Sequence, residues 1–289
     1  RGKNVQIREI DQSMNIHERV LRNKVNANDD QDLIFCLSKF EDLKIKANEI
    51  NIVDKESVYS FTEMFNNYRK ICACIFEKRK NSGQELLRST MLEGFFQFLF
   101  KDIVNFDQSI PQKTILGHAN ILSSFTFSPF SYKDVVQNIN FATQMKDQDF
   151  VIGMNSEMVI KHGDNLISQE FTIPFVIIEC KTYIEKNMLE THMNSSRETK
   201  KIFPFCLYFI AAEYMKMKTG YPERSMLDEV YILAREKNSI REKKLKENLS
   251  IDPFDPYLVN DLFEKIQNHL QTEWWDKESP FEKGKLMGK

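Results

Sequence analysis

Through its first hundred residues the chain repeats apolar positions three and four apart, the period of a helix face. Asp29–Ile50 sets Leu33, Ile34, Leu37, Phe40, Leu43 and Ile45 on roughly one side. Glu56–Lys80 does the same with Val58, Phe61, Phe65, Tyr68, Ile71, Cys72 and Ile75. Its charged end, Glu77-Lys78-Arg79-Lys80, is followed by Asn81-Ser82-Gly83, which predicts a stop. A third helix, Gln84–Asn105, carries Leu86, Leu87, Met91, Leu92, Phe95, Phe96, Leu99 and Phe100 on so wide a face that it is expected to be central. After Pro111 the apolar runs become short and rich in Val, Ile, Phe and Tyr. Val151-Ile152, Met158-Val159-Ile160, Phe171–Ile178, Phe205–Ala211 and Val230–Leu233 read as strands. His162-Gly163-Asp164-Asn165 reads as a turn between the second and third.

Glu185–Lys201 lacks Gly and Pro and reads as a helix between the third and fourth strands. Glu236–Asn248 is a charged helix or an exposed loop; Pro253 and Pro256 then interrupt the chain before a closing helix at Tyr257–Trp275. The order strand, strand, strand, helix, strand, strand, with helices before and after, predicts an α/β fold on a mixed central sheet flanked by helices. Three regions are expected: residues 1–83, helical; 84–250, the core with the sheet; and 251–289, a C-terminal helical segment.

Composition narrows the class. In 289 residues, 40 Lys and Arg face 42 Asp and Glu, a net charge of −2 that excludes a uniformly basic coat protein but not a basic face. The longest apolar stretches, such as Phe203–Ala212, are half the roughly 20 residues that span a bilayer, and the charged N-terminus has no signal-peptide core, so a cytoplasmic protein without membrane association is expected. Five cysteines at irregular spacing read as reduced thiols, and no pair of the five histidines has zinc-ligand spacing.

The chemistry concentrates at Val176-Ile177-Ile178-Glu179-Cys180-Lys181. On a strand, Glu179 and Lys181 share a face and Cys180 turns away, as a small core residue. A carboxylate and an ammonium at the end of a buried strand are costly unless they pair or bind something. Upstream, Lys146-Asp147-Gln148-Asp149-Phe150-Val151-Ile152 leads an acid straight into another apolar strand. An acid some thirty residues ahead of Glu-x-Lys, each at a strand edge, suits two carboxylates holding Mg²⁺ and a lysine acting on the attacking water. Asp42-Leu43-Lys44, Glu198-Thr199-Lys200 and Glu242-Lys243-Lys244 have the same triplet in polar helical settings and read as solvated surface. A structural salt bridge at a sheet edge is the competing reading of Glu179 and Lys181.

Asp149 with Glu179-Cys180-Lys181 resembles the PD-(D/E)xK nuclease motif. The surroundings are similar to type II restriction endonucleases, nearest to the group cutting split or asymmetric sites, some of which work as two different subunits. That likeness rests also on Thr182-Tyr183, Met188-Leu189-Glu190, Pro204 and Ala212-Glu213, and spans about residues 85–235. Gln148 stands where the motif usually has Pro. The resemblance implies a restriction-endonuclease-like core and Mg²⁺-dependent, sequence-specific cleavage of double-stranded DNA by a homodimer or heterodimer, the helical N-terminal region serving dimerisation or DNA contact. Asp149 and Glu179 would bind metal and Lys181 would position water, with Asp147 the alternative ligand if the register shifts by two. It adds Glu93 on the central helix and Glu190 on the helix after the motif as further acids of the site.

Basic runs could track phosphates: Arg69-Lys70 with Lys78-Arg79-Lys80, then Arg197, Lys200 and Lys201, then Arg235–Lys246. Arg197, Lys200 and Lys201 are the favoured DNA contacts, being on the helix after the motif strand, and steep salt dependence follows if these bases meet phosphates. Trp274-Trp275 reads as core or interface packing. A repair, recombination or RNA-directed nuclease on the same metal site, and a non-catalytic binding module, are the alternative readings.

Overall fold

The computed structural model describes residues 14–28, 30–78, 85–102, 114–127, 129–137, 141–162, 165–274 and 281. Four helices come first: α1 Ile16–Asn28, α2 Gln31–Glu49, α3 Lys55–Lys78 and α4 Glu85–Leu99. Asp30 caps α2 by accepting from the Asp32 and Leu33 amides, and the helix buries Leu33, Cys36, Phe40, Leu43 and Ala47 at spacings of three and four. Along α3 the buried side is Val58, Phe61, Phe65, Tyr68, Cys72 and Phe76. Helix α4 is buried nearly all round, from Leu87 to Leu99, as its wide apolar face predicts.

Gly94 lets α1 reach α4. A Cβ there would meet Asn15 Oδ1 at 2.6 Å and His17 Cβ at 2.9 Å. Asn15 uses the gap: its Nδ2 donates to Gly94 O (2.9 Å) and its Oδ1 accepts the His17 amide (3.0 Å). His17 is itself fully buried, between Thr90 Oγ1 (3.3 Å) and Tyr68 Oη (2.8 Å).

The sheet has five strands in sequential order: β1 Thr114–Phe127, β2 Phe141–His162, β3 Asn165–Ile184, β4 Leu207–Met215 and β5 Glu229–Lys237. Pairs β1–β2 and β2–β3 are antiparallel; β3–β4 and β4–β5 are parallel. Short helix α5, Tyr132–Gln137, lies between β1 and β2, and α6, Lys186–Ile202, makes the crossover from β3 to β4. Helices α7, Asn238–Lys246, and α8, Pro256–Gln271, close the chain, α8 capped by Asp255 with Pro256 in its first turn. One sheet face carries Phe150, Ile152, Val176, Ile178 and Phe209 into a core shared with α2, α3, α4 and α8. The other packs Val151, Ile177 and Tyr208 with Phe203 at the end of α6.

The mixed sheet between helices is as expected, with differences in detail. Val151-Ile152 and Met158–Ile160 belong to one long strand, β2, rather than two. Strand β1 and helices α1 and α5 were not anticipated. The segment 236–248, read as helix or loop, is helical over α7. The turn residues Gly163-Asp164, the stop at residues 81–83, Pro111 and the expected boundary at 83–84 lie outside the described residues. The core does not divide near that boundary: one cluster joins Phe61 and Phe65 of α3 to Phe95 of α4, Phe150 of β2 and Phe263 of α8. Trp274 packs on Phe205 (ring centroids 4.7 Å apart) and His269 (4.9 Å).

Candidate active site

The β2–β3 ladder ends at the Phe150–Ile178 pair. One residue further on, β2 carries Asp149 and β3 carries Glu179. Past this point β2 continues along β1, while Glu179, Cys180 and Lys181 follow β4 opposite Ile210, Ala211 and Ala212. The strands therefore part where the acids stand. The Cys180 amide, which has lost its β2 partner, donates to Asp149 Oδ2 instead (2.9 Å).

Lys181 Nζ joins the two acids, donating to Asp149 Oδ2 at 2.5 Å and Glu179 Oε2 at 3.2 Å. Glu179 Oε1 accepts from Tyr208 Oη at 2.7 Å, and His192 Nδ1 of α6 stands 3.3 Å from the same oxygen. Cys180 turns into the helical core, as alternation demands. Asp149, Lys181 and Cys180 line a cleft of about 570 Å³ whose other wall holds Glu93, Thr90, Arg88, Arg19 and Ile16, with His118 and Met188 at its margin.

Burial and charge set the protonation states. Burial would raise the Glu179 pKa, but His192, Lys181 and Tyr208 together hold it well below the usual carboxylate range. Burial would lower the Lys181 pKa, but the Asp149 and Glu179 charges outweigh it and push it up, so the amine stays an ammonium. Asp149 is raised by burial against the opposing pull of Lys181. Glu93, 7% exposed, is pushed up to about 8, first by burial and then by the Asp149 carboxylate. Half-buried Lys146 is lowered by burial beside this cluster.

The structure thus brings together Asp149, Glu179, Lys181 and Glu93. Glu190 is elsewhere: its side chain is 58% exposed and pairs loosely with Lys186 (3.7 Å). Asp147 is 71% exposed and faces His118 (3.8 Å), not Lys181. The basic runs are mostly committed to structural pairs. Arg69 is buried against Glu213 (2.5 Å). Lys200 binds Asp228 (2.5 Å) at the end of α6 remote from Glu179, and Lys201 pairs with Glu198 (2.8 Å). Arg235 binds Asp255, Arg241 binds Glu77, and Lys244 binds Glu236 and Asp252. Arg197 is exposed with no ion pair among the described residues; residues 79 and 80 lie outside them. Sequence reasoning missed Arg19, Arg88, His192 and Tyr208. The signal for His192 was a histidine in line with Leu189, Ser196 and Thr199 on the buried face of α6.

A solved structure titled native BbvCI A2B2 tetramer at low resolution is similar in fold: TM-score 0.66 and 18% identity, over 93% of this chain and all of that one. A search of curated proteins gave no match. The chain is a type II restriction endonuclease. More narrowly, it belongs to the Bpu10I restriction endonuclease family, whose model matches residues 84–286. Membership sets aside the repair-nuclease and non-catalytic readings. Among the described residues no helix is long and apolar enough to cross a membrane.

Proposed function

We propose that this chain cuts double-stranded DNA at a PD-(D/E)xK site, with Mg²⁺ held by Asp149 and Glu179 and the attacking water positioned by Lys181. The observation that carries this reading is one ammonium bonded to two carboxylates where β2 and β3 part. Both acids are hard oxygen donors, and Mg²⁺ is commonly held by one or two carboxylates, with waters and substrate phosphate completing its shell.

The bound ion would polarise the scissile phosphate and activate water as a Lewis acid. Lys181, held as an ammonium, donates hydrogen bonds to water and phosphate oxygens and does not serve as the base. Glu93 adds an outer carboxyl across the cleft whose ionisation a nearby cation would favour. Arg19 on that wall suits a DNA phosphate, whereas Arg88 beside it is bound to Glu77 (2.9 Å); Arg197 is the base of α6 best placed to meet a phosphate. Two active sites are needed to cut both strands. The A2B2 arrangement named for the similar structure favours pairing with a second, different subunit.

The test is plasmid cleavage in Mg²⁺ by wild type, Asp149→Ala and Lys181→Ala, with end-sequencing of the products. Discrete ends from the wild type and loss of cutting in both variants are expected. Undiminished cutting by both would refute the site. For the assembly, the purified chain alone should nick one strand at a defined position; complete linearisation by one chain would argue for a homodimer.

A further inference from the structure

We propose that His192 and Tyr208 are positioning residues that restrain the carboxylate of Glu179, so that a single oxygen, Oε2, is turned toward Lys181, which also binds Asp149. The inference rests on the reading of Glu179 as a metal ligand. Both residues follow the motif in sequence and return to it through the crossover. Tyr208 on β4 lies beside Ile177 of β3, two residues short of Glu179 and on the same sheet face. Two strand residues span about 6.6 Å, which is about the reach of a tyrosine side chain, so its hydroxyl meets Glu179 from below.

The hydroxyl has one proton and two acceptors nearby, Glu179 Oε1 at 2.7 Å and Gln148 Oε1 at 3.4 Å. The nearer, ionised acceptor takes it. His192 supplies the second restraint. Its buried Nδ1 stands 3.3 Å from Glu179 Oε1, a contact short of hydrogen-bond geometry, and has no other polar partner among the described residues. Tyr208 is fully buried and His192 nearly so, so water does not compete for that oxygen. With Oε1 bonded to Tyr208 of β4 and faced by His192 of α6, rotation of the carboxylate is restrained, and Oε2 is left to Lys181. This is the arrangement by which buried donors orient a carboxylate toward a cation.

The test is calorimetric binding of Mn²⁺ to the full chain without DNA, together with cleavage rate against Mg²⁺ concentration. Tyr208→Phe and His192→Leu should each weaken metal binding roughly 10–100-fold and raise the Mg²⁺ midpoint by a similar factor, with the rate at saturating Mg²⁺ far less affected. His192→Asn, which sets an amide N–H near the place of Nδ1, should restore much of the loss. Circular dichroism and thermal unfolding check the fold; if His192→Leu does not fold, Tyr208→Phe, which removes one oxygen and keeps the ring, carries the test. Folded variants that bind Mn²⁺ as the wild type does, beside a Glu179→Ala control that does not bind, overturn the inference alone. If Glu179→Ala also binds as wild type, the metal-site reading falls and the inference with it.

Discussion

Replacing Arg69 by Met distinguishes a phosphate contact from a structural bolt. Arg69 is 1% exposed; its guanidinium binds Glu213 at 2.5 Å and covers the Phe254 ring with Cζ 3.5 Å from the centroid. Methionine keeps most of the packing but strands Glu213, also buried, without its cation. Breaking one side of a buried pair costs about 3–5 kcal/mol, and the lost cation–π contact adds about 1–2 kcal/mol. The sum, about 4–7 kcal/mol, is a large share of the roughly 5–15 kcal/mol that holds a typical domain. With a urea slope of about 3 kcal/mol/M, the unfolding midpoint should fall by more than 1 M. Removing both charges, in Arg69→Met with Glu213→Leu, should recover much of the loss, because the stranded carboxylate is gone. Urea unfolding of the four proteins of this cycle supplies the numbers. A folded Arg69→Met enzyme within about 1 kcal/mol of wild type, but with weakened DNA binding, would refute this reasoning and restore the phosphate reading.

Fully buried His17 has its pKa lowered to about 3 by burial. The folded state then binds fewer protons than the unfolded chain below the ordinary value of 6.5, so its contribution is complete above pH 6.5 and is lost as pH falls toward 3. The stability gap between wild type and His17→Gln should narrow by about 2 kcal/mol between pH 7 and pH 5; a gap independent of pH would exclude a buried neutral imidazole. Because Lys200 is spent on Asp228, Lys200→Met should lower stability and leave the salt dependence of DNA binding unchanged, while Arg197→Ala should reduce the slope of log K against log salt by about 0.9. A reduced slope in Lys200→Met would show that this lysine does meet phosphate. Glu190→Ala should cut plasmid within about twofold of wild type, since removing an exposed group outside the cleft costs under about 0.5 kcal/mol; a loss of a hundredfold or more would return this acid to the site.

The helices were legible because their buried positions recur at three and four, as Leu33, Cys36, Phe40 and Leu43 do. The acid–strand and strand–Glu-x-Lys segments were legible because charge follows directly on buried aliphatics. Strand β1 was not, because two irregularities, at Gly117/Ala119 and Leu122/Ser124, break its alternation, and Gly117 takes a φ of 143°. The polar stretch Asn155-Ser156-Glu157 imitates a loop, yet it lies in a hairpin opposite Thr172, Phe171 and Glu170. The basic runs misled for another reason: their partners are distant in sequence. Arg69 finds Glu213, Arg241 finds Glu77, and Lys200 finds Asp228 only once α3, α7 and α6 have packed. Local composition shows the cations and hides the acids that neutralise them.

The continuous core has a consequence for how this enzyme can be divided. The family match begins at residue 84, but the folding unit does not. A fragment starting there would uncover Phe95 where Phe61 now stacks and Phe65 packs at a tilt, and would leave Glu213 facing an empty socket. Sequence kinship and physical autonomy have different borders in this chain. Exchange of specificity between related enzymes should therefore succeed by trading whole subunits, and fail when a nuclease half is grafted onto a foreign helical half.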